Sequence, residues 1–449
     1  MKFLRFFPAA LLILAVCHPG CGRPGGALKR QRPAVVILGL DGASWELIDP
    51  LIASGRLPLF KQLKETAAWG TLRTSTPAKS PVIWTSIATG KTKAKHGVED
   101  FRSTRVNRKG KNPITSSLDV REPLLWDMLG DHGLRSVLVN WYLSYPPQPL
   151  NGVNVSDFFT ASALGTSAAK KEQLRQTVFP PERAAEFEKW VDPEYRSVLK
   201  RTGIPDYPAL YEKREAGSRH SDLPVFKHFK EFLLEECAVD DVAARLFRSE
   251  EFDLFAVYLE LADKVQHFAY MSFVDNAYKQ ALDSAAANGT LPDARASEAY
   301  AKIADILCPV YQNMERTIQG YFAAAGKRET YFIILSDHGF SFFVRDGTVR
   351  YNHIGQDKAP DGIIIVRGPK VKPGKLTLAR IYDIAPTVLY LLGLPLDRNM
   401  DGKPLYKLFS FRHDSSYTVY KRKKSRSFKE NRDLDEKALE ELKALGYIN

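Results

Sequence analysis

A short apolar run near the start of the chain indicates the fold class: residues 35–42 read VVILGLDG. Unbroken apolar runs of this length are typical of strands that are buried on both faces of a parallel sheet. Four more runs share this character, and together the predicted strands are Val35–Leu40, Ser136–Asn140, Leu254–Leu259, Tyr331–Leu335 and Ile363–Val366. Helical patterns lie between them, at Leu124–Gly133, Val239–Phe247, Ala301–Ala325 and Tyr382–Leu392. This alternation predicts a doubly wound α/β fold, a mostly parallel sheet with helices on both faces.

The predicted catalytic domain covers residues 33–410 and contains two polar stretches, at about residues 102–123 and 146–224, without a sustained strand pattern. We interpret them as cap-like insertions over the catalytic edge of the sheet. Residues 411–449 are predicted to be a basic C-terminal segment with a charged amphipathic helix at Leu434–Leu445, for which the sequence suggests no chemistry.

Residues 1–25 have the pattern of a secretory signal peptide and linker. Lys2 and Arg5 precede the apolar run Phe6–Val16, which is too short to span a membrane. The predicted location is therefore periplasmic or extracellular. The residues before Cys17 also resemble a bacterial lipoprotein processing site, so signal cleavage and a lipid anchor at Cys17 both remain open.

The chain has 449 residues and a formal net charge of +12. A basic balance attracts anionic partners such as phosphorylated small molecules, although ordinary solubility explains it equally well. No nucleic-acid-binding module is recognisable. Cys237 and Cys308 are either a disulfide of an exported protein or two buried thiols, and the absence of a CxxC pair disfavours a thiolate zinc site.

Acidic and imidazole side chains lie next to the predicted strands. In open α/β sheets, ligands bind beyond the carboxyl ends of the strands, and carboxylates with imidazoles are ligands that Zn²⁺ prefers. The candidates are Asp41 after the first strand, Asp263 and His267 after the third, Asp337 and His338 after the fourth, and His353 before the fifth.

The candidate nucleophile is Ser80, which is followed by Pro81 and a helical pattern that ends near Gly90. This order predicts that Ser80 is the N-cap of a helix. A hydroxyl at that position meets the positive end of the helix dipole, where phosphate binds. Ser80 could equally be no more than a cap, and the hydroxyls of residues 74–76 are rivals.

The ordered set resembles the alkaline phosphatase superfamily and, within it, the type I phosphodiesterase/nucleotide pyrophosphatase branch. The motifs that carry the resemblance are Leu38–Gly42, Ser80–Ser86 with Thr89-Gly90, His96–Val98, Ser336–Gly339, and Asp383–Thr387 with Met400–Gly402. The resemblance implies two divalent metal ions, with zinc favoured and manganese as the alternative. It assigns one ion to Asp41, Ser80, Asp337 and His338, and the other to Asp263, His267 and His353.

The resemblance further implies a hydrolase of anionic phosphate esters that works through a phosphoserine at Ser80. Nucleotide pyrophosphatases have Thr as the nucleophile and Asn three residues later, where this chain has Ser80 and Ile83. This difference disfavours nucleotide-like substrates. The alternatives are a phosphoryl or phosphoalcohol transferase, a phosphonate hydrolase, and a non-catalytic binding protein on the same fold.

Overall fold

The computed structural model describes residues 32–106, 112–165, 170–214, 224–286, 289–353, 360–423 and 432–448. The predicted signal peptide and Cys17 lie outside these residues. Among the described residues, no helix is long and apolar enough to cross a membrane.

The described strands are short, and most of them belong to one sheet. They are β1 (Ala34–Leu40), β2 (Ala68–Arg73), β3 (Ser136–Val139), β4 (Gly152–Val155), β5 (Val178–Phe179), β6 (Leu254–Leu259), β7 (Thr330–Leu335), β8 (Ser341–Arg345), β9 (Thr348–Asn352), β10 (Gly362–Arg367), β11 (Gly374–Lys375), β12 (Ala379–Arg380), β13 (Leu396–Asp397) and β14 (Tyr417–Thr418).

Helices connect these strands along the chain. They are α1 (Trp45–Ala53), α2 (Pro58–Thr66), α3 (Ser80–Thr89), α4 (Lys93–His96), α5 (Leu125–Asp131), α6 (Phe159–Leu164), α7 (Lys170–Gln176), α8 (Ala184–Glu188), α9 (Tyr195–Thr202), α10 (Tyr207–Arg214), α11 (Pro224–Ser249), α12 (Leu261–Phe273), α13 (Asn276–Ala285), α14 (Asp293–Ala325), α15 (Ile384–Leu391) and α16 (Arg432–Ala444).

Within the described residues, the central sheet has ten strands in the order β11-β2-β10-β7-β1-β6-β3-β4-β5, and β12 also pairs with β2. The strand β1 lies between β6 and β7 and is parallel to both. Its side chains alternate between two separate cores: Val36 and Leu38 face one, and Val35 and Ile37 face the other. The predicted doubly wound α/β class, with a mostly parallel sheet covered on both faces, is therefore confirmed.

Two details of the predicted sheet are wrong. The strand predicted at Ile363–Val366 was expected to be parallel, yet β10 runs antiparallel to both β7 and β2. A strand that is buried on both faces has the same apolar pattern in either direction, so the sequence does not reveal its orientation. The stretch 146–224, interpreted as an insertion without strands, supplies β4 and β5, which extend one edge of the sheet.

Residues from Pro33 onward fall in one compact unit. The C-terminal segment joins it through β14, which pairs with β13, and through α16, which packs against α6 and α11. Cys237 and Cys308 are both free and buried, so they are thiols and not a disulfide.

Candidate metal centre and nucleophile

The carboxyl ends of three neighbouring strands deliver most of the predicted site residues to one edge of the sheet. Asp41 directly follows β1, and Asp337 and His338 follow β7 after one residue. Beyond β6, helix α12 begins at Leu261 and carries Asp263 and His267 one turn apart. His353 directly follows the β8–β9 hairpin. The sheet order β7-β1-β6 therefore fixes which of these side chains are neighbours.

Three of these residues form a first cluster, which we call the inner group: Asp41, Asp337 and His338. The Nε2 atom of His338 lies 3.5 Å from Asp41 Oδ1 and 3.3 Å from Asp337 Oδ2. Ligand atoms that surround one Zn²⁺ tetrahedrally at about 2.1 Å lie about 3.4 Å from one another. The inner group therefore has the spacing that a single ion requires.

The other three residues form the outer group: Asp263, His267 and His353. The Nε2 atoms of His267 and His353 are 3.3 Å apart. Asp263 Oδ2 lies 3.4 Å from His267 Nε2, and Asp263 Oδ1 lies 3.7 Å from His353 Nε2. The two groups adjoin, because the rings of His338 and His353 stack with centroids 3.8 Å apart.

Several buried polar atoms in the two groups have no hydrogen-bond partner. They include Asp41 Oδ1, Asp263 Oδ1, Asp337 Oδ2 and His338 Nε2. An unpartnered buried polar atom is costly, and four of them in two adjoining clusters are unfavourable unless cations bind there. The residues present therefore fit two metal ions.

The electrostatics of the site point to the same conclusion. Burial, followed by Asp337 and Asp263, raises the pKa of Asp41 well above its usual value. Burial also raises the pKa of Asp337 to about 7. Burial opposes ionisation of Asp263 too, but the facing imidazoles of His267 and His353 hold its pKa below the usual value. A bound cation would favour the ionised form of all three carboxyl groups.

Ser80 is the first residue of α3 and not its N-cap, which corrects the sequence-based assignment. Lys79 is the cap residue, and its carbonyl oxygen accepts from the backbone N–H groups of Val82 and Ile83. The Ser80 side chain therefore takes no part in capping, and its buried Oγ has no partner. The predicted helix end at Gly90 is correct, since Gly90 ends α3 in the left-handed region.

The packing of α3 explains how Ser80 is held. A Cβ atom at Gly39 would come within 2.6 Å of the Trp84 ring, so Gly39 in β1 lets α3 approach the strand closely. Trp84 in turn packs edge-on against Tyr258, with centroids 4.9 Å apart. The backbone of Ala78, two residues before Ser80, lies beside His353.

The rival hydroxyls of Thr74 and Ser75 are also buried without a partner. Lys79 forms an ion pair with Asp100.

Two tyrosines at the site were not predicted. The hydroxyl of Tyr258, at the end of β6, donates to Asp41 Oδ2. The hydroxyl of Tyr447, which follows α16, donates to Asp263 Oδ2 at 2.7 Å. The sequence suggested no chemistry for the C-terminal helix, and the structure shows that the chain just beyond this helix reaches the outer group. The only local signal is the Gly446-Tyr447 pair after the helical pattern.

Comparison with known proteins identifies the family. The sequence profile of type I phosphodiesterase/nucleotide pyrophosphatase matches residues 35–437. The chain belongs to the type I phosphodiesterase/nucleotide pyrophosphatase family. Membership in this family confirms the resemblance stated above. The matched range includes both groups and Ser80.

More distant similarities are partial. A 2,3-bisphosphoglycerate-independent phosphoglycerate mutase of Yersinia pestis is 30% identical over 105 residues, which are 23% of this family member and 19% of the mutase. The chain thus spans about a fifth of the length of the curated relatives it matches. Among solved structures, a phosphonate monoester hydrolase from Silicibacter pomeroyi is 14% identical, with 86% of this chain and 78% of that chain covered and a TM-score of 0.44. Phosphonoacetate hydrolase from Sinorhizobium meliloti is 16% identical, with 69% and 56% covered and a TM-score of 0.36.

Proposed function

We propose that this protein hydrolyses phosphate esters with Ser80 as the nucleophile and a divalent cation, preferably Zn²⁺, in each of the two groups. The observation that carries the proposal is the set of buried, unpartnered carboxylate and imidazole atoms in the two groups, together with the equally unpartnered Oγ of Ser80 at the amino end of α3. Asp41, Asp337 and His338 would hold one ion together with Ser80, and the outer group would hold the other. When bound, such ions supply Lewis-acid polarisation of the phosphoryl oxygens.

The chain's own residues then perform a two-step displacement. Ser80 Oγ attacks phosphorus and loses its hydroxyl proton to solvent. As the new P–O bond forms, the bond to the leaving alcohol breaks and the leaving oxygen takes up a proton. Water then attacks the phosphoserine, which releases phosphate or its monoester and restores the Ser80 hydroxyl. The amino end of α3, where Ser80 lies, favours the anionic phosphoryl group through the helix dipole.

The proposed substrate is an anionic phosphate ester without a requirement for a nucleoside. Ile83 stands where the nucleotide pyrophosphatases have an asparagine, and its side chain is fully buried in the core. It therefore offers no donor to a phosphoryl oxygen. Diesters are favoured over monoesters by the family, and the ratio of the two activities tests this.

The first experiment measures bound metal together with hydrolysis of bis-p-nitrophenyl phosphate and p-nitrophenyl phosphate. Two equivalents of metal and turnover that disappears in Ser80→Ala are expected. Ser75→Ala is the matched control, because Ser75 is a nearby buried hydroxyl with no partner. Rapid quenching followed by peptide mass spectrometry should find the phosphoryl group on Ser80. Full activity of Ser80→Ala would refute the proposal.

A phosphoryl transferase is the second candidate, favoured by the local match to a mutase. Adding an alcohol acceptor to the assay separates the two, since a transferase forms a new ester faster than it releases phosphate.

We also propose export through residues 1–25, with a lipid anchor at Cys17 as the alternative to cleavage. The mass of the mature amino-terminal peptide decides between those two outcomes. Metal-loaded, folded protein without turnover on any ester would leave the binding-protein alternative.

A further inference from the structure

The helix α16 is tied to the helix that carries two outer-group residues. Lys264, adjacent to Asp263 in α12, is nearly fully buried, and its Nζ lies 2.6 Å from Glu441 in α16. Lys437 in α16 lies 2.9 Å from Glu235 in α11. Two ion pairs with partly or fully buried members therefore set the position of α16 beside the site.

The end of α16 turns the chain toward the outer group. Gly446 has φ = +79°, a left-handed conformation that favours glycine. The Tyr447 N–H donates to the Leu442 carbonyl at 2.8 Å and the Leu445 side chain is buried, which is the arrangement of a glycine helix cap. Tyr447 is therefore held in one direction by backbone hydrogen bonds and by the packing of its neighbour.

The side chain of Tyr447 forms one wall of the outer group. Its hydroxyl lies 2.7 Å from Asp263 Oδ2 and 3.0 Å from His267 Nε2. Its ring contacts the rings of Phe101, His267 and His353, with centroid distances of 4.6, 5.0 and 5.5 Å. The phenol thus touches all three members of the outer group.

The inner and outer groups share a hydrogen-bond pattern that indicates a role for the contact between Tyr447 and Asp263. Asp41 has its Oδ2 bound by Tyr258 and its Oδ1 without a partner. Asp263 has its Oδ2 bound by Tyr447 and its Oδ1 without a partner. In each group, one tyrosine holds one oxygen of an aspartate and leaves the other oxygen open. Outer hydrogen bonds of this kind orient the ligands of metal ions.

We propose that Tyr447 is a positioning residue of the outer group: its hydroxyl fixes Asp263 so that Oδ1 is presented to the cation. The inference rests on the proposed function, because it requires that the outer group binds a metal ion. It makes the segment after α16 a part of the site and not a surface extension. Tyr447 acts through Asp263 and does not itself take part in the displacement.

The test measures metal binding and not turnover. Protein stripped by a chelator is titrated with Co²⁺ in the presence of a competing chelator, and the visible absorption of bound Co²⁺ is recorded. Wild-type protein should bind two ions. Tyr447→Phe keeps the ring and removes the hydroxyl, and it should weaken one ion by about 10- to 100-fold and leave the other unchanged. Tyr258→Phe should weaken the other ion instead.

Two controls make the outcome specific. Tyr420→Phe removes a tyrosine hydroxyl that contacts Pro395 and His132, and it should bind both ions as the wild type does. In an Asp263→Ala background, which removes the carboxylate that the Tyr447 hydroxyl holds, Tyr447→Phe should have no further effect on Co²⁺ binding.

Each other outcome overturns a stated claim. Unchanged affinities in Tyr447→Phe, or equal weakening of both ions with a lower melting temperature, would refute the positioning role. Two bound ions in a wild-type protein that hydrolyses no ester would refute the proposed function alone. A wild-type protein that binds no Co²⁺ would overturn both.

Discussion

The inner and outer groups have the same kinds of side chains but are built differently. The inner group comes from residues at the ends of β1 and β7, two paired strands in the middle of the sheet, and its three side chains are all buried. The outer group combines a turn of α12, the residue after a hairpin and the contact with Tyr447, and its side chains are buried as well. The sheet itself therefore fixes the inner group, whereas the outer group depends on contacts between separate elements.

This difference predicts that the inner group tolerates change least. Asp337→Asn should lower kcat for ester hydrolysis by at least about 10³-fold, because it removes a charge at the reacting centre. The variant should also bind one equivalent of metal less than the wild type, and excess metal should not restore that equivalent. Asp346→Asn, at a highly exposed position, is the matched control. If a high metal concentration restored the activity of Asp337→Asn, the predicted difference between the inner and outer groups would be contradicted.

The outer group should release and rebind its metal ion more readily than the inner group. His267→Gln is expected to lower activity by about 10²-fold, and excess metal should partly restore it, because the remaining Asp263 and His353 stay in place. Chelator treatment of the wild type should release the outer ion first. Simultaneous loss of both ions, measured by stopped-flow metal release, would show that the groups are not independent.

A third prediction concerns the ion pair that holds α16. Glu441→Gln should lower the free energy of unfolding by about 1–2 kcal/mol, because Lys264 keeps its other carboxylates but loses its shortest contact. Urea unfolding measures this loss. Co²⁺ affinity should fall in the outer group only. An inner-group ion that weakens equally would contradict the proposed separation.

The smallest effect concerns the support of α3. The buried His96 contacts Ser86 of α3 at 3.0 Å, and burial lowers its pKa from 6.5 to about 3. Below pH 6.5 the unfolded chain takes up a proton that the folded chain does not, so stability falls as the pH falls. The loss is about 1 kcal/mol between pH 6.5 and 5.5. In metal-free protein, His96→Gln should lose less stability than the wild type between pH 6.5 and 5.5, as measured by thermal unfolding. An equal loss in both proteins would refute this prediction.

The parts of the fold that the sequence predicted are those determined by local burial. The strand predicted at Leu254–Leu259 is β6 itself, and β1 and β7 differ from their predictions by one residue, because each is a continuous apolar run. The strand β4 was missed because Gly152 and Asn154 interrupt its apolar pattern. The orientation of β10 was missed because burial on both faces conceals it.

The candidate site shows the same difference between features that depend on local sequence and features that depend on distant contacts. The sequence pointed to Asp41, Asp337 and His338 because each stands next to a strand end. The division of all the candidate ligands into two groups came from the family resemblance. Tyr447 could not be found in this way. Its contact with Asp263 joins residues 184 positions apart, and a charged amphipathic helix before it is typical of any solvated surface.

The inner group has a consequence for how the chain folds during synthesis. Asp41 meets Tyr258 217 residues later, and Gly42 meets Asp337 295 residues later. The strand β1 is synthesised long before β6 and β7, its two partners in the sheet. A topology with such distant contacts folds slowly, and an unpaired apolar strand is prone to aggregation while it waits. We therefore expect the nascent chain to need protection of β1 until β6 and β7 have been made.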